Sequence, residues 1–350
     1  MNDYFAGRFE LLEPIASGGM GTVWRIRDAH DGQVKAAKIL QQSDAGSLLR
    51  FMREQSMRID HHHVVTPQSW AGMDDRVLFT MPIVRGGSVA DLLRSHGALP
   101  VRWVAELTDQ LLQALEAVHG AGIVHRDVKP ANLLLEPTGT GRPHLRLTDF
   151  GIAAPVDEPR MTRASMAIGT PGYMAPEQWH GADPDPRADL YAVAAVAIEM
   201  LTGQRPPAEP APPQPAAQAT DTPEAQLIEL LRPALAAAPA DRPATAGELR
   251  AALATSGLLN LPPEPGEAIA VTDRFGAGHE QPTHVPSTSA QMPYGPAPTR
   301  LDGAAATRVE RHHTMPMPAS SRSAGDRTLT SGLLLLLVGV AALVGAVLLW

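Results

Sequence analysis

The sequence predicts an α+β fold over roughly its first 255 residues, then a flexible tether, then a helix that spans a membrane. Three observations predict this. Up to about residue 205, short β-type runs alternate with helical stretches, with glycine and proline where turns are needed. Residues 256–328 are rich in Pro, Gly, Ser, Thr and Ala, and residues 329–350 carry no charge.

Composition narrows the function classes. The chain has 350 residues, 44% of them hydrophobic, which is enough for a sizeable core. Its 37 acidic and 29 basic residues give a net charge of -8, with no electrostatic footprint for a phosphate backbone, so no nucleic-acid partner is expected. The absence of cysteine excludes disulfides, thiolate metal sites and a cysteine nucleophile. The opening MNDYFAGRFELLEPI lacks a basic start, an apolar run and a small-residue cleavage site, so a secretory signal is not expected and the folded part should stay in the cytoplasm.

Taken in order, the folded region reaches Pro206–Pro223, a proline-rich stretch with too little apolar surface to bury, which reads as a surface loop within the domain. Leu227, Ile228, Leu230, Leu231 and Leu235 then share one face of an amphipathic helix from Glu224 to Leu235, and Ala244–Leu253 reads as another. The fold should close there. Residues 256–328 cannot offset chain entropy by burial and are expected to take no fixed structure. The 22 residues from Leu329 would make a helix of ~33 Å, which spans a bilayer. Arg322 and Arg327 just before it favour a cytoplasmic preceding chain, Trp350 suits the far interface, and no external domain would follow. Ala341 with Gly345, and Ala342 with Ala346, have the spacing of a helix-pairing face.

Chemistry concentrates in His125-Arg126-Asp127-Val128-Lys129-Pro130-Ala131-Asn132, followed by Asp149-Phe150-Gly151. Phosphoryl transfer needs a carboxylate to accept the incoming hydroxyl's proton and oxygen ligands for a divalent cation. From about Phe9 to Leu253 the sequence resembles the eukaryotic-like (Hanks-type) serine/threonine protein kinases of bacteria. The resemblance implies a bilobal kinase fold, with a small antiparallel β lobe carrying one helix and a larger, mainly helical lobe. It also implies that Asp127 is the catalytic base, Lys129 lies beside the transferred phosphate, and Asn132 and Asp149 bind magnesium, or manganese in its place.

The same resemblance assigns the remaining positions. Ile15-Ala16-Ser17-Gly18-Gly19-Met20-Gly21-Thr22-Val23 looks like the Gly-rich loop over the ATP phosphates, with Ala16 where the family has its first glycine. Lys38 would clamp the phosphates and pair with Glu54, whereas the nearby Lys35 reads as a solvated strand charge. Adenine would lie between Val23 and Ala36 above and Leu134 below, with Met81 at the back and Pro82-Ile83-Val84 as the hinge; Pro82 removes a donor but keeps its carbonyl. Thr162 and Ser165 would be phosphorylated and pair with Arg126, and Thr170 would bond Asp127 and Lys129. Glu177 would pair with Arg242, and Asp189 would anchor the catalytic loop.

Protein substrates with Ser or Thr, a homodimer phosphorylating in trans, and phosphothreonine-binding modules reading Thr299, Thr307 or Thr314 are the partners this implies. The location it implies is a single-pass cell-membrane protein with a cytoplasmic kinase domain. Ala16, Pro82 and the shortened, Pro-rich stretch from 206 to 223 are the features that would suit a non-catalytic scaffold instead. His61-His62-His63 is not read as a metal site, because three adjacent side chains point apart and no carboxylate or cysteine cluster accompanies them.

Overall fold

The computed structural model describes residues 4–18, 21–41, 59–149, 169–208, 221–263 and 269–276. Two units divide the chain, Met1–Val285 and Pro286–Trp350, and every described residue belongs to the first. Six antiparallel strands form its sheet: β1 (Tyr4–Phe5), β2 (Phe9–Gly18), β3 (Gly21–Asp28), β4 (Val34–Gln41), β5 (Ser69–Met73) and β6 (Arg76–Met81), in the spatial order β1-β2-β3-β4-β6-β5. Strand alternation gives the sheet two apolar faces. Ile26, Ala37 and Leu78 pack with Phe5 and Phe9 on one side, while Leu40, Val77 and Phe79 on the other join the main core.

A buried charge pins the β3–β4 turn. Burial alone would push the Asp28 carboxyl up, but Arg8 at 2.7 and 2.8 Å, Lys35 at 2.9 Å and the His30 N–H hold it well below the usual carboxylate range. Lys35 therefore departs from its expected role as a solvated charge. It spans Asp28 and Asp31 and is largely buried, because the tight turn brings both carboxylates within reach. The helix expected around Glu54 lies outside the described residues.

After the sheet the chain becomes mainly helical. Helix α1 (Val89–His96) opens with a capping box in which the Ser88 hydroxyl accepts from the Asp91 N–H and the Asp91 carboxylate accepts from the Ser88 N–H. Helix α2 (Val101–Gly120) is buried along most of its circumference and forms the centre of the core with Trp103, Leu107, Leu111 and Leu115. Gln110 ties it to the short ribbon of β7 (Leu133–Leu135) and β8 (Leu145–Leu147), accepting from the Leu145 N–H and donating to the Pro143 carbonyl. The short α3 (Pro176–Trp179) precedes α4 (Pro186–Thr202), whose alanines at 192, 194, 195 and 197 are buried in the same core and which stops at Gly203 in the left-handed conformation.

The expected helix from Glu224 to Leu235 resolves into α5 (Pro223–Leu231) and a 3-10 turn, Arg232–Leu235. Pro233 supplies no N–H and ends regular α geometry. Helix α6 (Ala246–Thr255) starts two residues later than expected, because the Thr245 hydroxyl accepts from the Glu248 N–H and makes Thr245 the cap.

Packed structure also continues past residue 255, where the sequence predicts only tether. Leu258–Asn260 forms a further turn with Leu258 buried, and residues 269–276 run back along the domain with Ile269 and Val271 in the core. Three apolar side chains scattered among prolines and glycines do not alter the average composition, yet each has a site to fill. The expected membrane helix, 329–350, lies outside the described residues, and no helix among the described residues is long and apolar enough to cross a membrane.

Candidate active site

Strand register assembles the upper wall. Val23 pairs with Lys38, Lys38 with Phe79, and Ala36 with Met81, so Val23, Ala36, Lys38 and Met81 share one face of the sheet. The β2–β3 hairpin projects beside them, with Ser17 opposite Thr22 and Gly18 opposite Gly21. Gly19 and Met20 at its tip lie outside the described residues. Gly21 has φ 132° and an added Cβ would collide with the Ile39 carbonyl, so only glycine fits there. Ala16 pairs with Val23 in extended strand, next to Ile15, and is not among the described non-glycine residues with positive φ. Its methyl group therefore sits on ordinary backbone. Pro82, Ile83 and Val84 follow β6, and Leu134 lies on β7 with a bridge to Ser88.

Lys38 reaches across to the lower wall, where its Nζ lies 2.8 Å from Asp149 Oδ1. Glu54, its expected partner, lies outside the described residues. Asp127 is buried, and both of its carboxylate oxygens accept hydrogen bonds. Oδ1 takes the Thr170 hydroxyl at 2.8 Å, and Oδ2 takes Lys129 Nζ at 2.6 Å and Asn132 Nδ2 at 3.1 Å. Lys129 donates in addition to Thr170 Oγ1 at 2.8 Å, closing a triangle of base, cation and hydroxyl. Asn132 Nδ2 also donates to the Asp127 carbonyl at 2.7 Å, which fixes the amide orientation and turns Oδ1 away from the loop.

The backbone here is strained where the chemistry is. Arg126 and Asp149 hold φ of 67° and 55°, two of only four positive values among the described non-glycine residues. Asp189 on α4 holds the first in place: its fully buried carboxylate accepts from the His125 N–H at 2.8 Å, the Arg126 N–H at 2.7 Å and His119 Nε2 at 2.8 Å. Burial would push that carboxyl up, but the His119 hydrogen bond and charge, with the loop amides, pull it down. His125 links the two strained positions. Its Nδ1 accepts from the Asp127 N–H at 3.3 Å, so its proton sits on Nε2, which donates to the Thr148 carbonyl at 3.1 Å. Burial pushes this imidazole's pKa down and keeps it neutral.

Farther out, Glu177 and Arg242 form a two-pronged pair at 2.6 and 2.7 Å. The guanidinium is fully buried, donates to the Ala236 carbonyl at 2.8 Å and lies over the Tyr191 ring. Thr162 and Ser165 lie outside the described residues. Sequence reasoning missed His119, a lone histidine at the end of α2, and gave His125 no role. It also missed Tyr173, whose hydroxyl donates to Glu199 at 2.6 Å. His125 stands at the head of the motif that names the site, whereas His119 and Glu199 lie on helices far from it in sequence and carry no local signal.

The oxygen donors of Asn132 and Asp149 are of the hard type that suits magnesium. Among the described residues no group of three or more His, Cys, Asp or Glu could hold a metal. Contrary to the expectation that their side chains point apart, His61, His62 and His63 stack on one another and on His144, with centroids 4.1 to 4.8 Å apart along the series, because the turn at 61–63 folds the three rings together against His144.

Comparison with known proteins agrees with this geometry. The family described as protein kinase domain matches residues 9–249. The chain is 38% identical over 216 residues to serine/threonine-protein kinase PkaA of Streptomyces coelicolor, covering 57% of this chain and 39% of that one. It is 33% identical over 285 residues to serine/threonine-protein kinase PknA of Mycobacterium tuberculosis, covering 75% and 64%. With serine/threonine-protein kinase pkn3 of Myxococcus xanthus it shares 34% over 271 residues, covering 71% and 50%. The chain thus spans between about two fifths and just under two thirds of the length of these relatives.

Proposed function

This chain belongs to the protein kinase family by residues 9–249, and from that premise we propose that it transfers the γ-phosphate of ATP to serine and threonine hydroxyls of proteins. The observation that carries the reading is the Asp127–Lys129–Thr170 triangle beside the Lys38–Asp149 pair. A carboxylate gripped from three sides is positioned to receive an incoming hydroxyl and take its proton as the new oxygen–phosphorus bond forms and the bond from the γ-phosphorus to the bridging oxygen breaks, releasing ADP. Lys129 sets a positive charge next to that oxygen, where phosphoryl oxygens gather negative charge. Lys38 holds Asp149 from above and offers its ammonium to the phosphates.

Magnesium supplies neutralisation of the phosphate charge when bound, and Asn132 Oδ1 with the Asp149 carboxylate are the protein oxygens that would hold it. Thr170 presents the hydroxyl that joins the segment ending at Glu177 to the base. A non-catalytic scaffold would need none of this, and Ala16 in ordinary strand gives that reading no support.

Thr162 and Ser165 are the proposed self-phosphorylation sites, with Arg126 as their phosphate partner. We place the kinase domain at the cytoplasmic face of a membrane, anchored by 329–350, an uncharged stretch of spanning length preceded by Arg322 and Arg327.

The test is incubation of the full chain with magnesium and γ-labelled ATP beside Asp127→Asn and Lys38→Met, followed by mapping of the label. Label on Ser or Thr in the parent, Thr162 or Ser165 among them, and none in either variant is the expected result. No transfer by the parent, with nucleotide still bound, would overturn it.

A further inference from the structure

Residues 269–276 lie against the stretch that leads out of the hinge. Val271 and Gly139 exchange both backbone hydrogen bonds, at 2.8 and 2.9 Å. The Arg274 N–H donates to the Arg85 carbonyl at 2.9 Å, while the Arg85 side chain donates to the Gly276 carbonyl at 2.9 Å and pairs with Asp273 at 2.9 Å. The Arg274 guanidinium covers Gly87 and reaches Asp91 Oδ2 at 2.9 Å, the same oxygen that accepts from the Ser88 N–H and hydroxyl.

Two adjacent glycines make room for this. A Cβ on Gly86 would strike Val271 and the Leu135 carbonyl, and one on Gly87, which also has φ 83°, would strike Arg274. On the opposite side the same stretch is held by β7: Gly86 N–H donates to the Leu135 carbonyl and Leu135 N–H to the Gly87 carbonyl, each at 2.8 Å. Residues 85–88 are thus clamped between β7, which carries Leu134, and the returning segment. Phe275 carries the contact onward to the sheet, where the Arg25 guanidinium of β3 lies 6.0 Å from its ring centroid.

We infer that residues 269–276 are a strap that positions the hinge exit and the β7 floor, so that nucleotide affinity is set partly by chain that lies beyond the family domain. The inference rests on the kinase reading for its ligand but not for its mechanics. Arg274 and Phe275 act as positioning residues: neither lies on the wall formed by Val23, Ala36, Lys38 and Met81. Arg274 is half exposed, so its loss does not threaten folding.

The experiment uses the full chain, the double variant Arg274→Ala/Phe275→Ala and the conservative Arg274→Lys. A fluorescent ATP analogue reports affinity without requiring transfer, steady-state kinetics separates KM for ATP from kcat, and hydrogen exchange reads the amides of Gly86 and Ser88 without nucleotide. The double variant should bind the analogue about five-fold more weakly, the loss expected of one partly buried ion pair. KM for ATP should rise by a similar factor while kcat stays within about two-fold, and exchange at Gly86 and Ser88 should quicken about three-fold or more. Arg274→Lys, which keeps the charge, should fall between the double variant and the parent. Unchanged affinity with unchanged exchange overturns the inference, as does a fall in kcat alone. If the parent binds no nucleotide, the kinase reading fails, and the exchange arm still decides the strap.

Discussion

At the scale of single residues, the arrangement around Asp127 makes sharp demands. Its Oδ2 faces two donors, Lys129 and Asn132, and an amide in its place would turn an NH2 group toward one donor or another. Asp127→Asn should therefore lower kcat by about 10² to 10⁴ while nucleotide affinity, measured by titration, stays at the parent value. Thr170 is a subtler probe, since its hydroxyl donates to Asp127 and accepts from Lys129 in the same geometry. Thr170→Val keeps the shape and removes both bonds, so kcat/KM for a protein substrate should fall roughly tenfold, the worth of one to two hydrogen bonds. Thr170→Ser should keep most of the rate. A valine variant as active as the parent would remove Thr170 from the site. The loop from His125 to Asn132 was legible in the sequence because its chemistry is packed into eight consecutive residues. His119 was not: it meets Asp189 across 70 residues of chain, and a histidine ending a helix has many bland explanations.

At the scale of elements, the Glu177–Arg242 pair joins the short α3 to the turn before α6 across 65 residues. The guanidinium satisfies Glu177 with two nitrogens and also donates to the carbonyls of Ala236 and Ala237. An ammonium has neither the fork nor the reach for all of these. Arg242→Lys should cost about 3 kcal/mol, because the buried guanidinium is replaced by a cation that leaves Glu177 and the Ala236 and Ala237 carbonyls incompletely paired. Urea unfolding of the variant beside the parent measures this, and a difference below about 1 kcal/mol would place the pair among the weak surface bridges. Elements with strong periodicity or a clear cap, such as α6, were readable to within a few residues. The strap of 269–276 was not, because Val271 gains its meaning only from Gly86 and Gly139, more than 130 residues earlier. Local composition holds no trace of such a distant partner.

At the scale of the whole molecule, the stacked histidines at the junction of sheet and helices make stability depend on pH. His63 is buried, and burial first, then the like charges of His62, His144 and His61, push its pKa down from 6.5 to about 4 against the pull of its hydrogen bond to the Leu145 carbonyl. His61 is pushed down as well, by burial first and then by His62 and Arg250, with Glu116 and Asp60 opposing. The direction of the linkage follows from which state takes the proton first. Above pH 6.5 both folded and unfolded chains hold His63 neutral, and its contribution is present in full. As pH falls from 6.5 toward about 4 the unfolded chain takes the proton while the native one resists, so stability is lost over that window. Between pH ~7.5 and ~5 the loss from His63 alone should be about 2 kcal/mol. His63→Asn keeps a donor where Nδ1 faces the Leu145 carbonyl and removes the titration. Urea midpoints of the variant should therefore fall less between those two pH values than those of the parent, with His61 sustaining the remaining slope. Equal slopes in parent and variant would mean that the histidine stack opens to water before the fold does.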